Sequence, residues 1–106
     1  MFVAYQVSLE LVEGLRAVVE RLRRHDRELG DQLRRAATSV ALNLAEGQRR
    51  EGGDRVRFFR IASGSAGEVR ATLEVARAWG WMVDDEQILP ILDRLLGLLW
   101  GVTRRR

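Results

Sequence analysis

Residues 28–47 read ELGDQLRRAATSVALNLAEG, and within them Leu29, Leu33, Ala37, Val40 and Leu44 recur at the spacing of one helical face. The run predicts a helix over about 27–49, broken at Gly52 and Gly53. Upstream, Tyr5, Val12, Leu15, Val19 and Leu22 keep a seven-residue rhythm that Leu11 and Val18 widen, which predicts a first helix over about 4–24. Arg21, Arg23, Arg24 and Arg27 gather around His25 and Asp26 at its end. Cations there complement the C-terminal dipole, and Asp26 is placed to cap the helix that follows. Downstream, Asp54 is a good N-cap for Phe58, Ile61 or Ala62, Ser65, Val69, Leu73 and Ala76, a third helix over about 54–79 that stops before Gly80. Asp84 with Gln87 suggests a capping box for a fourth helix over about 85–103, which Pro90 either kinks or truly begins.

Four helices, three short connections and no strand-like alternation predict an all-α protein, an antiparallel up-and-down four-helix bundle forming one domain over residues 1–106. Two features go beyond what a bundle needs. In the fourth helix, Ile88, Leu92, Leu95 and Leu99 suffice for the core, so Leu89, Leu96 and Trp100 on another side are expected at a subunit interface, the alternative being an aggregation liability. In the third, residues 62–67 have almost no side-chain bulk, and Ala62, Ala66 and Gly67 are expected to let a neighbouring helix cross closely.

The chain has 106 residues, with 18 arginines and no lysine against 15 acids, a net charge of +3, one proline and no cysteine. Without cysteine there is no disulfide framework, thiolate metal site or cysteine nucleophile, and a reducing cytoplasm fits. Residues 1–15 are apolar but carry Glu10 and Glu13 without a basic leader, unlike a signal peptide. The longest apolar run, Leu95 to Val102, is eight residues, less than half of a membrane span, so no membrane partner is expected.

Sites for chemistry are sparse. His25 is the single histidine and no Glu-x-x-His pair exists, which removes the ligand set of di-iron bundles; no metal and no cofactor is expected. Ser63-Gly64-Ser65-Ala66-Gly67 approaches a nucleophile elbow, but mid-helix rather than at a strand-to-helix turn. Glu46, Glu68 and Glu74 lack a second group at a meaningful spacing. Residues 47–54 hold glycines and bases without the Gly-Lys-Ser/Thr ending of a phosphate loop. No catalytic residue emerges. What stands out is Arg49, Arg50, Arg55, Arg57 and Arg60 set against Glu46, Glu51 and Asp54, with Arg34, Arg35 and the tail Arg104 to Arg106 adding charge and Asp84, Asp85 and Glu86 gathering acid in the third connection. These arginines either present forks to phosphates or form a salt-bridged, solvated end. Asn43 and Glu46, one turn apart, are expected to be polar glue for the corner between helices 2 and 3, with Arg50 or an arginine of the third helix on Glu46.

The run from Asp31 to Gly47, followed by residues 58–68 and 72–80, resembles the bacterial four-helix-bundle proteins encoded within intervening sequences of large-subunit ribosomal RNA genes. Gln32, Leu33, Arg34, Arg35, Ala36, Ser39, Asn43, Ala45, Glu46 and Gly47 fall on that family's motif, as do Phe59, Ala62, Gly64, Ser65 and Glu68. The chain departs from it in a shorter first-helix lead-in, in Ala41 where the family often has proline, and in its lack of lysine. The resemblance implies a ring-shaped homopentamer without enzymatic activity, related to the accessory proteins of diversity-generating retroelements that bind nucleic acid and a reverse transcriptase. The expected partners are therefore other copies of the chain, RNA or DNA, and an acidic or nucleic-acid-processing protein. The competing expectation is a structural scaffold whose arginines only balance acids.

Overall fold

A computed structural model describes residues 2–81 and 85–104, in which α-helix is the sole regular structure: α1 Val3–His25, α2 Arg27–Gln48, α3 Gly52–Ala78 and α4 Ile88–Thr103. Asp26 alone separates α1 from α2. Its extended backbone (φ −152°, ψ 105°) interrupts the helix, its N–H closes α1 on the Leu22 carbonyl at 2.8 Å, and its carboxylate accepts the Leu29 N–H at 3.1 Å. One residue thus serves both helix ends, as the sequence suggests.

Each helix packs on its neighbours in the chain, and α4 closes back on α1. The cross-links run antiparallel: Arg23 meets Asp31, Ser39 meets Ser65 and Arg70 meets Asp93. The result is an up-and-down bundle of 42 × 23 × 21 Å, its long dimension set by α3, whose 27 residues span about 40 Å.

In α2, Leu33, Ala37, Val40 and Leu44 are all buried, as their spacing requires. The α1 stripe is turned slightly from the expected one: Val7 and Leu11 are buried, while Tyr5 and Val12 sit at its edge. In α3 the core aromatic is Phe59 rather than Phe58, because Phe59 stacks on Phe2 of the α1 N-terminus (centroids 5.3 Å apart). Ala62, Ser65 and Ala66 face inward, but Gly64 and Gly67 look outward, with nothing within 4 Å of where a Cβ would stand. The close crossing therefore rests on Ala62 and Ala66 and not on Gly67.

Two helix starts differ from expectation. Glu51 precedes α3 with extended backbone and no side-chain capping bond, so the helix begins at Gly52 and Asp54 lies in its first turn. Gln87 precedes α4, also without a side-chain cap, and Asp84 of the expected capping box lies outside the described residues. The Asp85 carbonyl accepts the N–H groups of Ile88 and Leu89 instead, and the buried Asp85 carboxylate is held by Arg77. Pro90 sits in the first turn, where its missing N–H has no partner to lose, so it marks the start of α4 rather than a kink.

With 16 residues against 23, α4 is about 10 Å shorter than α1 and begins opposite Gly14, where Ile88 packs. The far end of α1 is covered differently. After Trp79, Gly80 takes φ +80° and its N–H bonds the Arg77 carbonyl at 2.9 Å, while the Trp81 N–H returns to the Ala76 carbonyl at 3.0 Å. This double bond pattern with a left-handed residue is the glycine helix stop that Gly80 makes possible. It turns Trp81 back onto His25, with rings 5.6 Å apart and 4° from parallel.

Candidate nucleic-acid interface

The arginine-rich corner is built on Gly47. A Cβ there would stand 2.5 Å from Cε1 and 2.7 Å from Cδ1 of Phe59, so the absence of a side chain is what lets α2 and α3 meet over that ring. Arg55 reinforces the end of α2, donating from Nε at 3.2 Å to Gly47 O, which also accepts the Arg50 N–H, and from Nη2 to Gln48 O at 3.0 Å. Around them runs a chain of charges. Arg50 donates to Glu46 at 2.8 Å and lies 3.5 Å from Asp54, Arg49 lies 3.5 Å from Glu46, and Arg57 lies 3.8 Å from Asp54. Phe58 lies beneath the guanidiniums of Arg57 and Arg50, at 4.4 and 5.3 Å. The Arg50 hydrogen bond, opposed by desolvation and helped by the charges of Arg50 and Arg49, holds the Glu46 carboxyl below its usual range.

Arg49, Arg50, Arg55, Arg57 and Arg60 are therefore brought together, but most are engaged by their own chain. Arg60 has no acid partner among the described residues; with Arg55 and Arg104 it borders an open cleft of about 1030 Å³ whose apolar side is Phe2, Phe59 and Val102. Arg34 and Arg35 stand apart, about 20 Å back along α2 from Arg49, exposed and also without acid partners among the described residues. Asn43 and Glu46 do not bond each other. Asn43 donates to the carbonyl and hydroxyl oxygens of Ser39 at 2.8 and 3.1 Å, and Ser39 is the residue that crosses to Ser65 on α3 at 2.8 Å. The polar link between α2 and α3 is thus a serine pair braced by Asn43, while Glu46 serves the corner.

On α4, Ile88, Leu92, Leu95 and Leu99 are buried. Leu96 is half-buried against the core, Leu89 is half-buried beside the Arg70–Asp93 pair, and Trp100 is 61% exposed with the Arg104 guanidinium 4.0 Å over its ring. Of the three residues expected at an interface, Trp100 is the one that stands out from the bundle. No group of three or more metal-ligating side chains occurs among the described residues, and no helix among them is long and apolar enough to cross a membrane.

The family model described as 23S rRNA-intervening sequence protein matches residues 2–99. The chain belongs to this family. It is similar to a crystal structure from Bacteroides thetaiotaomicron VPI-5482, described as a protein with unknown function from the S23 ribosomal protein family. The TM-score is 0.83 over 96% of this chain and 99% of that one, at 19% identity, a likeness of fold. No curated protein matches the chain.

In this chain of the family, Ser39, Asn43, Gly47, Phe59 and Ser65 join α2 to α3. Sequence reasoning missed two contributors to the cleft. Phe2 is distant in sequence from Phe59, with no local signal to pair them; Arg104 was legible only as part of a basic tail, and Arg105 and Arg106 lie outside the described residues.

Proposed function

We propose that this protein is a non-enzymatic, homo-oligomeric module of the cytoplasm that presents arginines to the phosphates of RNA or DNA. The observation that carries this reading is a set of guanidiniums without acids: Arg34 and Arg35 together on α2, and Arg60 and Arg104 at the cleft, have no ion-pair partner among the described residues. An unpaired guanidinium keeps its donors free for a phosphate and never loses its charge. The family resemblance and the exposed Trp100 support assembly into a ring-like homopentamer of about 60 kDa, in which repeated weak contacts along one polyanion become avid. An acidic or nucleic-acid-processing protein is the second partner this reading allows.

The ion pairs of Arg49, Arg50 and Arg57 with Glu46 and Asp54 favour a second reading, a scaffold that binds protein and no nucleic acid. Titration of RNA and DNA at several salt concentrations separates the two. Changing Arg34, Arg35 and Arg60 together to Gln is expected to flatten the slope of log affinity against log salt, by about 0.9 per lost contact on duplex DNA and about 0.7 on a single strand. Absence of binding at about 50 mM salt, where electrostatic binding is strong, overturns the nucleic-acid reading in favour of the scaffold. Light scattering that gives a 12.1 kDa monomer overturns the assembly.

A further inference from the structure

We propose that the linked rings of His25, Trp81 and Trp79 are a stacking platform for the bases of a single-stranded nucleic acid, an inference that rests on the nucleic-acid reading above and places base contact at the opposite end of the bundle from the cleft. Trp81 stacks on both other rings, 5.6 Å and 4° from parallel with His25, and 5.3 Å and 13° with Trp79. The near-parallel arrangement presents flat aromatic surface, and the outermost contribution is large: Trp79 is 66% exposed. An indole left this open gives little to the stability of the bundle, since its area stays in water.

The backbone that carries the platform is tied down. Trp79 ends α3 with its N–H on the Val75 carbonyl, Gly80 turns the chain, and Trp81 is anchored by its N–H on Ala76. Both indoles therefore sit on one hydrogen-bonded turn, and the third ring comes from the last residue of α1. A preformed surface loses little freedom when a base lands on it.

Charge around it suits a polynucleotide strand. Arg21, Arg24 and Arg27 bracket His25 on α1 and α2, are exposed, and have no acid partner among the described residues. Of the acids at this junction, Asp26 caps α2 and Asp31 pairs with Arg23 at 3.0 Å, which leaves the exposed Glu28 against three arginines. Aromatic rings beside cations are the elements by which proteins hold unpaired bases with little regard to sequence, whereas a duplex keeps its base faces stacked inside.

The test uses the whole chain, labelled oligo(dA), an abasic strand of equal length and a duplex of the same length, at about 50 mM salt. Oligo(dA) is expected to bind more tightly than the abasic strand and to quench tryptophan fluorescence. Trp79→Ala should weaken oligo(dA) binding roughly 5- to 100-fold, leave the abasic strand unaffected and remove most of the quenching, while Trp79→Phe retains most of the affinity. Equal binding of oligo(dA) and the abasic strand, with salt dependence intact, overturns the platform and leaves the phosphate reading standing. If the unmodified protein binds none of the three, both fall. If Trp79→Ala changes the mass in light scattering and not oligo(dA) binding, Trp79 belongs to a contact between protein chains and the platform is overturned.

Discussion

At the end of the bundle where α2 passes the chain to α3, arginines face acids one turn away: Glu46 holds Arg49 and Arg50, and Asp54 holds Arg50 and Arg57. At the opposite end, Arg24 and Arg27 form no ion pairs among the described residues: Asp26 is capping α2, Asp31 is drawn across to Arg23 of α1, and Glu28, also within a turn, pairs with neither. The two ends carry similar sequence charge and different available charge. Asp26 and Asp31, engaged elsewhere, leave Arg24 and Arg27 uncompensated, whereas Glu46 and Asp54 offset Arg49, Arg50 and Arg57.

The comparison extends to what limits each end, and this gives the largest expected effect. At the α2–α3 corner Gly47 is limited by side-chain space, and at the other end Gly80 is limited by backbone conformation. Gly47→Ala forces a Cβ into the Phe59 ring and should cost about 1–3 kcal/mol in urea unfolding, despite a gain of about 1 kcal/mol in helix propensity. Gly80→Ala should cost about 1–2 kcal/mol through its positive φ, with open space around it. Phe59→Leu in the same chain should relieve the first penalty and leave the second unchanged; equal relief of both would erase the distinction.

A smaller effect tests the availability of charge. Replacing Glu46 with Gln and Asp54 with Asn releases Arg49, Arg50 and Arg57, and should steepen the salt dependence of the proposed nucleic-acid binding by up to about 0.9 per freed arginine on duplex DNA. An unchanged slope would mean that the corner stays out of the interface even when uncompensated. The smallest effect is on pH. Because the folded Glu46 pKa is depressed, its ion pairs stabilise the protein above the ordinary carboxylate range, and that contribution disappears as pH falls through the lower folded value. The difference in melting temperature between the native chain and Glu46→Gln should be greatest near neutral pH and close as the solution is acidified.

Periodicity made most of the fold legible, since Leu33, Ala37, Val40 and Leu44 must share a side and Ile88, Leu92, Leu95 and Leu99 must share another. It failed where a distant partner decides between adjacent residues: Phe59 is chosen over Phe58 by Phe2, which no local pattern can announce. The start of α3 is less legible: Gly52 does break the helical path with φ +58°, as the two glycines suggest, yet α3 begins there rather than at Asp54. In the candidate site, Glu46–Arg50 was readable from helical spacing, but the use of Arg55 on backbone carbonyls was not. The aromatic turn left only Gly80 as a signal, because stacking through His25 depends on how far α4 falls short of α1.

The single extended residue between α1 and α2 gives the chain a second topology within reach. Were Asp26 to adopt helical angles, Val3 to Gln48 would become one continuous rod about 70 Å long, and two such rods could exchange their halves so that each α1 packs on the other copy's α2, with contacts away from the junction retained. The carboxylate on the Leu29 N–H and the Arg23–Asp31 pair draw the junction closed, so the residue that caps a helix here also selects the hairpin over the swapped dimer.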